Sequence, residues 1–561
     1  MGEIINYILI IITVISALFI WGIINKRSRE KKLKIQLLKQ WGDVPQDEYT
    51  SEKYKSIAEY YYSIKDDTMD VDDITWNDVD MDEIYMMLNN TQSAAGEEYL
   101  YAILRKPLFS NEELQERNRL VTFFQNKEEQ RVDLQVQLNN IGKLHKISAY
   151  EYINRLDELK FKSNIPHYIM AFGLLISIIL IFIVPSIGGL ATFAFAINNI
   201  IQYLNKKGKI EHHLTLFAFI LRILDGINGI AKLDIPELKS YCDDLVKASV
   251  KFRNFKRGSI FVTAKNVSNN IIEIVFDYFR MLFHIDLIKF NSMLSFLKKN
   301  QETLISMYTN IGLLDSMIAV ASFRTLLDYY CEPELVESDK PILSATDLYH
   351  PILEEPVVNS ISEEGSVLVT GSNASGKSTF IKALAVNAIL SQTIYTSLCT
   401  NYRASFFVIY SSMALRDNIF KNESYYIVEI KSLKRILDRV NPKIPVLCFI
   451  DEVLRGTNTL ERIAASSRIL ASLAEKNTMV IAATHDIELT YILERYYSNY
   501  HFQEQIINDQ IEFDYKLYPG RAVSRNAIKL LSLIGYSQEI INASEQAAND
   551  FLEKGEWAII D

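Results

Sequence analysis

The chain has 561 residues, a formal net charge of -10, a hydrophobic fraction of 49% and a mean hydropathy of +0.03. These values exclude a globally basic nucleic-acid binder, although local patches can still attract phosphate, and they fit several mostly soluble domains carrying a few membrane segments. The cysteines Cys242, Cys331, Cys399 and Cys448 have no metal-ligand spacing and read as core thiols in a reducing compartment.

The first element in chain order is an apolar run from Ile4 to Ile24, about 20 residues and long enough to span a bilayer. Lys26, Arg27, Arg29, Lys31, Lys32 and Lys34 follow it, which puts the N-terminus outside and the rest in the cytoplasm. A cleavable signal peptide has the opposite order, with positive charge first and small residues last. Residues 26–75 read as a charged, partly helical cytoplasmic linker, and the acidic run Asp66 to Asp82 as a solvated connection.

Helix is expected from Asn111 to Leu159 and from Ile210 to Leu327, where apolar residues recur at three- and four-residue spacing. Between them, Tyr168 to Leu204 is apolar and broken at Pro185-Ser186-Ile187-Gly188-Gly189. Lys160 and Lys162 precede it, and Lys206, Lys207 and Lys209 follow. This reads as a membrane hairpin returning to the cytoplasm, with a buried helical hairpin as the alternative. The segment Lys251-Phe252-Arg253-Asn254-Phe255-Lys256-Arg257 interleaves cations with aromatics. It could track a nucleic-acid strand, but is more simply a helix end or a lipid-facing segment.

Residues 366–380 run from an apolar strand into a complete G-x-x-x-x-G-K-S loop. Its glycines let backbone N–H groups turn inward around phosphates, Lys377 reaches the β and γ oxygens, and Ser378 can ligate Mg²⁺. The candidate ATP-binding residues are Gly371, Ser372, Asn373, Ala374, Ser375, Gly376, Lys377, Ser378 and Thr379, with a helix from Phe380 to Leu390 facing the anion. A second strand, Val446 to Ile450, ends at Asp451-Glu452: the first carboxylate can hold Mg²⁺, the second can orient or deprotonate water. A third, Met479 to Ala483, ends at Thr484-His485, where the imidazole could sense a γ-phosphate. Lys377, Glu452 and His485 are therefore the catalytic candidates, and Ser378 and Asp451 the metal ligands. Three strands ending in such residues fit a doubly wound sheet with its ligand at the carboxyl ends.

The segments Asp451-Glu452-Val453-Leu454-Arg455-Gly456-Thr457-Asn458-Thr459, Ala483-Thr484-His485-Asp486 and Thr370-Gly371-Ser372-Asn373 resemble the ATPase domain of the MutS family of DNA mismatch repair proteins, an ABC-type ATPase. Tyr349 to Glu354, Phe513 to Leu517, Gly520 and Gly535 are similar to flanking parts of that domain. Leu88-Asn89-Asn90-Thr91 with Gly96, and Gly312-Leu313-Leu314-Asp315, resemble the two ends of its helical core. The resemblance implies a homodimer with composite ATP sites, in which Ser424 of Glu423-Ser424-Tyr425-Tyr426 contacts the partner's nucleotide. Leu454 stands where the family usually has glycine, Ala374 and Ser375 replace its Met-Gly, and Val357 lies where an aromatic often stacks on adenine. No segment corresponds to the mismatch-reading and connector domains.

The expected fold is an α/β P-loop (ABC-type) ATPase domain joined to a long-helix, all-α core and lever domain with transmembrane helices. Residues 1–25 are read as the anchor, 26–75 as the linker, 76–335 as the helical domain with hairpin 168–204, and 340–561 as the ATPase with a helical tail. The expected function is that of a membrane-anchored ATPase using ATP and Mg²⁺, a dimeric switch acting on DNA in a repair-related role or on an unknown protein or membrane partner. Its expected place is the cell membrane, with the ATPase cytoplasmic. An ABC-type transport energiser is a further alternative, although the chain has no Leu-Ser-Gly-Gly-Gln signature.

Overall fold

Apolar residues at helical spacing build the first of two units, residues 1–65, 87–102 and 119–326. The computed structural model describes residues 2–560 apart from 145–146, 159–162, 257–277, 339, 373–374, 414–424, 441–442, 508–509, 523–527, 529–530 and 532–534. In this unit the helix Gln301–Leu326 buries Leu304, Met307, Ile311, Leu314 and Ile318. Its Asp315 accepts hydrogen bonds from the backbone N–H groups of Gln92 (3.0 Å) and Ser93 (2.8 Å), which fixes the start of the helix Ala94–Arg105.

The two long helices expected from periodicity are interrupted. Lys127, at φ -117° and ψ 73°, separates helices Asn111–Asn126 and Glu128–Ile141, and Gly142 at φ +75° ends the second. Glu128 and Glu129 in the new first turn, and glycine just past the last, are ordinary start and stop signals. Ile210 is not a helix start either, because the helix Pro185–Ala231 runs through it for 47 residues, about 70 Å. Pro236 follows its end, and the helices Ile285–Lys299 and Gln301–Leu326 are separated by Asn300.

The apolar hairpin pairs helix Ile165–Ile181 with the start of Pro185–Ala231. Pro185 occupies the first helical turn, where its missing N–H costs nothing. Gly188 does not break the helix; a Cβ there would lie 2.3 Å from Ile181 N, so glycine permits the close approach. Among the described residues, Pro185–Gly208 and Gln301–Leu326 are long and apolar enough to cross a membrane, with 17% and 72% of their apolar windows buried. The second is thus a core helix, whereas the first leaves Ile187, Leu190 and Phe193 exposed. The run Ile4 to Ile24 lies within helix Gly2–Lys39, and most of its side chains are outside the described residues, as are residues 160 and 162.

The basic and aromatic segment differs from its strand-tracking reading. Phe252 and Phe255 are buried and pack edge-on or tilted against Phe296, so their faces are not open to bases. Lys256 pairs with Asp225, and residue 257 is outside the described residues.

The second unit comprises residues 66–86, 103–118 and 327–561. Its described strands are β1 (Glu334–Val336), β2 (Leu343–Leu348), β3 (Asn359–Glu363), β4 (Ser366–Thr370), β5 (Asn401–Ser405), β6 (Val408–Ser412), β7 (Val446–Asp451), β8 (Thr478–Thr484), β9 (Tyr497–His501), β10 (Glu504–Ile507), β11 (Gln510–Phe513) and β12 (Tyr518–Pro519). A mixed sheet runs β1-β5-β2-β3, and a larger one runs β12-β9-β4-β8-β7-β6, parallel from β9 to β6 with β12 antiparallel at its edge. Strands β4, β6 and β8 are buried along their whole length, which is why they read as continuous apolar runs and not as alternating ones. Helices Lys377–Ile394 and Thr459–Ala474 pack on the larger sheet.

The acidic run is not a solvated connection. Asp70 and Asp78 are buried, and Asp72 pairs with Arg435. The Asp78 carboxylate accepts from Ser411 Oγ (2.6 Å) and Met413 N (2.9 Å), which satisfies the end of β6. Replacing Asp78 with alanine leaves those donors buried and unpaired. Asp78→Ala should therefore cost about 2 kcal/mol in the free energy of urea unfolding, with Asp78→Asn intermediate.

Candidate functional site

Parallel register sets the site. Thr370 at the end of β4 lies opposite Thr484 at the end of β8, and Asp451 at the end of β7 lies opposite Ala483. The chain after each strand therefore emerges on the same edge of the sheet. After β4 it turns through Gly371 at φ +151° and Gly376 at φ +104° into the helix Lys377–Ile394. Only glycine fits the first turn: a Cβ on Gly371 would lie 2.8 Å from Phe502 O and 2.9 Å from Ser375 Oγ. The helix starts at Lys377, three residues before the expected Phe380, with no side chain capping its first N–H groups.

Lys377 Nζ donates to the carbonyls of Gly371 (2.8 Å) and Ser372 (2.6 Å). Burial pushes its ammonium down to about 8, opposed by the nearby Asp451 charge and reinforced by Arg455. Ser372 Oγ donates to Glu504. Ser378 and Thr379 are exposed in the first helical turn and line the cavity. Asn373 and Ala374 lie outside the described residues.

At the end of β7, Glu452 takes φ +57° while its N–H donates to Ala483 O at 3.0 Å, which aims the side chain at His485. His485 Nε2 lies 2.7 Å from Glu452 Oε1, and Arg455 Nε donates to Glu452 Oε2. Burial and then the Lys377 charge hold His485 below its ordinary range, so the imidazole is neutral at pH 7 and donates to the carboxylate. The structure thus joins His485 to Glu452. Leu454 adopts φ +61°, a left-handed conformation, and explains why glycine suits this position. The strain is held by Glu429, whose carboxylate accepts from the N–H groups of Leu454 and Arg455. Ser424 lies outside the described residues, just before the helix Tyr425–Asp438 that carries Glu429.

These groups border a cavity of about 490 Å³. Lys377, Ser378, Glu452, Arg455 and His485 line it together with His350, Val357 and Tyr515. Among the described residues, Ser375 Oγ on the cavity wall and Asp451 Oδ1 at the end of β7 are buried with no hydrogen-bond partner. An orphaned carboxylate oxygen at the end of β7, whose charge acts on Lys377, suits a divalent cation with oxygen ligands, and an orphaned hydroxyl in a glycine turn suits a phosphate oxygen. The residues present therefore fit Mg²⁺ and a nucleoside triphosphate.

Arg455 and Tyr515 are site residues that sequence reasoning did not single out. Arg455 follows Glu452 by three residues, a spacing that signals nothing until the turn at Leu454 folds it back. Tyr515 is brought over the glycine turn by the β10–β11 hairpin, with its ring 3.2 Å from where a Gly376 Cβ would stand. It supplies an aromatic face where Val357 does not.

Residues 367–552 match the family description MutS domain V. The chain is 30% identical over 303 residues to MutS protein homolog 4 of Mus musculus, covering 51% of this chain and 30% of that protein. It is 28% identical to the DNA mismatch repair protein MSH3 of Debaryomyces hansenii, over 45% of this chain and 27% of the relative. It is also 28% identical to the DNA mismatch repair protein MutS of Natronomonas pharaonis, over 42% and 28% of the two chains. The chain thus spans less than a third of the length of these relatives. Within that span the chain is similar to MutS domain V over residues 367–552, and it is similar to the MutS proteins named above.

Proposed function

We propose that this chain is an ATP-hydrolysing switch of the MutS type. The observation that carries the reading is the convergence of Lys377, the unpartnered Asp451 Oδ1 and the Glu452–His485 pair at neighbouring strand ends. Lys377, the loop N–H groups and the open N-terminus of its helix bind and orient the triphosphate. Ser378 and Asp451 would hold Mg²⁺, which when bound offsets charge on the phosphates. Glu452 orients an attacking water and takes its proton at a carboxylate oxygen. His485 and Arg455 each take one acceptor site on the two Glu452 oxygens, which leaves lone pairs for the water. His485 keeps the carboxylate aimed, and Tyr515 lies over the glycine turn as part of the cavity wall.

The same proposal makes the switch a homodimer completed in trans by the Ser424 segment, and holds it at the cell membrane by Ile4–Ile24 and the hairpin 168–204. In support of the second point, the described hairpin exposes apolar side chains and carries its nearest cations, Lys206 and Lys207, beyond its base. The ATPase then lies on the cytoplasmic side, where ATP is.

Lys377→Ala should abolish ATP binding, whereas Glu452→Gln should keep binding and reduce turnover by at least about 100-fold, measured by equilibrium binding and phosphate release. Unchanged turnover in Glu452→Gln would remove it from the base role. The depressed Lys377 ammonium gives a pH dependence with a definite sign. Below about pH 8 it is charged before ligand arrives; above that, binding must first restore its proton. ATP affinity measured by calorimetry should thus be flat near pH 7 and fall by up to about tenfold per unit above pH 8.

A second reading, action on DNA, is favoured by the mismatch repair relatives. It predicts salt-dependent retention of the full chain on duplex DNA, weakened by charge reversal at Lys251 and Arg253. No retention at low salt would discard it.

A further inference from the structure

The connection between β9 and β10 is stitched to the start of the phosphate loop. Phe502 N donates to Thr370 O at 2.9 Å, and Phe502 O sits against Gly371. Two residues on, the Glu504 carboxylate accepts from Ser372 Oγ at 2.8 Å. Ser372 is therefore held from two sides, its carbonyl by the Lys377 ammonium and its hydroxyl by an anion. Asp451, Arg455 and Glu504 are the charges that act on Lys377. Asp451 suits a cation and Arg455 faces Glu452, but Glu504 has no role in the chemistry above and does not line the cavity.

A carboxylate tied to a loop that receives a polyanion opposes that ligand, and the opposition grows with ligand charge. It also partly offsets Lys377 when no phosphate is present. Resting on the nucleotide reading above, we propose that Glu504 is a positioning residue that serves as an internal anion, holding Ser372 in the nucleotide-free loop and setting the preference between triphosphate and diphosphate. Glu504 stands at the start of the β10–β11 hairpin that leads to Tyr515, so one segment is bonded to the phosphate loop at Ser372 and carries Tyr515 to the cavity wall.

The test measures binding of ADP and of the non-hydrolysable imido analogue of ATP, both with Mg²⁺, to the full chain in detergent by calorimetry. Glu504→Gln should tighten the analogue about fivefold and ADP by less than about twofold. Glu504→Asp, which keeps the charge, should restore the parental ratio. Ser372→Ala, which releases the carboxylate without removing it, should shift the ratio in the same direction but less, and should add nothing in the double variant. An unchanged ratio in Glu504→Gln, or equal loss of both ligands, overturns the role of Glu504 and leaves nucleotide binding standing. If the parent chain binds neither ligand, the nucleotide reading falls and this inference with it.

Discussion

The parallel register of β4, β8 and β7 is the constraint on which the site depends. Pairing Thr370 with Thr484 and Asp451 with Ala483 fixes where each strand stops, and a strand's last residue decides which side chain emerges at the sheet edge. A slip of one residue would turn each emerging side chain to the opposite face. The fully buried strands resist such a slip, because both faces are packed and no alternative register keeps Leu368, Ile450 and Ala482 in one core. The geometry of Lys377, Asp451 and His485 is in this sense a consequence of apolar packing and not of contacts among themselves.

That dependence explains which parts of the site were legible in the sequence. The glycine turn, Asp451-Glu452 and His485 are each written locally, as an apolar run followed by a residue of specific chemistry. Arg455, Tyr515 and Glu504 reach the site only through a left-handed residue at Leu454 or through the β10–β11 hairpin, and neither leaves a local pattern. The docking of Asp78 on the end of β6 was hidden for a related reason. A run of carboxylates has no spacing that distinguishes water from a buried serine hydroxyl and backbone N–H as its partner. In the helices, the regular apolar repeat concealed stops that Gly142 and Pro236 do mark.

Hydropathy by itself also fails to separate two helices whose environments differ. Pro185–Gly208 and Gln301–Leu326 have mean hydropathies of 1.3 and 1.4, yet 17% and 72% of their windows are buried. The second meets the need of an apolar surface with Asp315 and its neighbours packed inside the protein, whereas the first leaves that need open. Exposed side chains such as Leu190 and Phe193, with no charged residue between His167 and Lys206, have a physical explanation if lipid covers them.

The polar groups of the site are held by partners within the protein. Glu452 is held by a neutral histidine and a guanidinium, Lys377 by two loop carbonyls, and Ser372 by Glu504. Lys377, Glu452 and Ser372 are thus already paired within the protein, and for these groups ligand binding is an exchange of partners. The net gain of such an exchange is small per bond, because a protein contact is lost for each one made. Among the described residues, Asp451 Oδ1 and Ser375 Oγ are buried oxygens with no partner to exchange. The largest gain on binding is therefore expected where the protein has left polar atoms unsatisfied, at the cation and at the glycine turn.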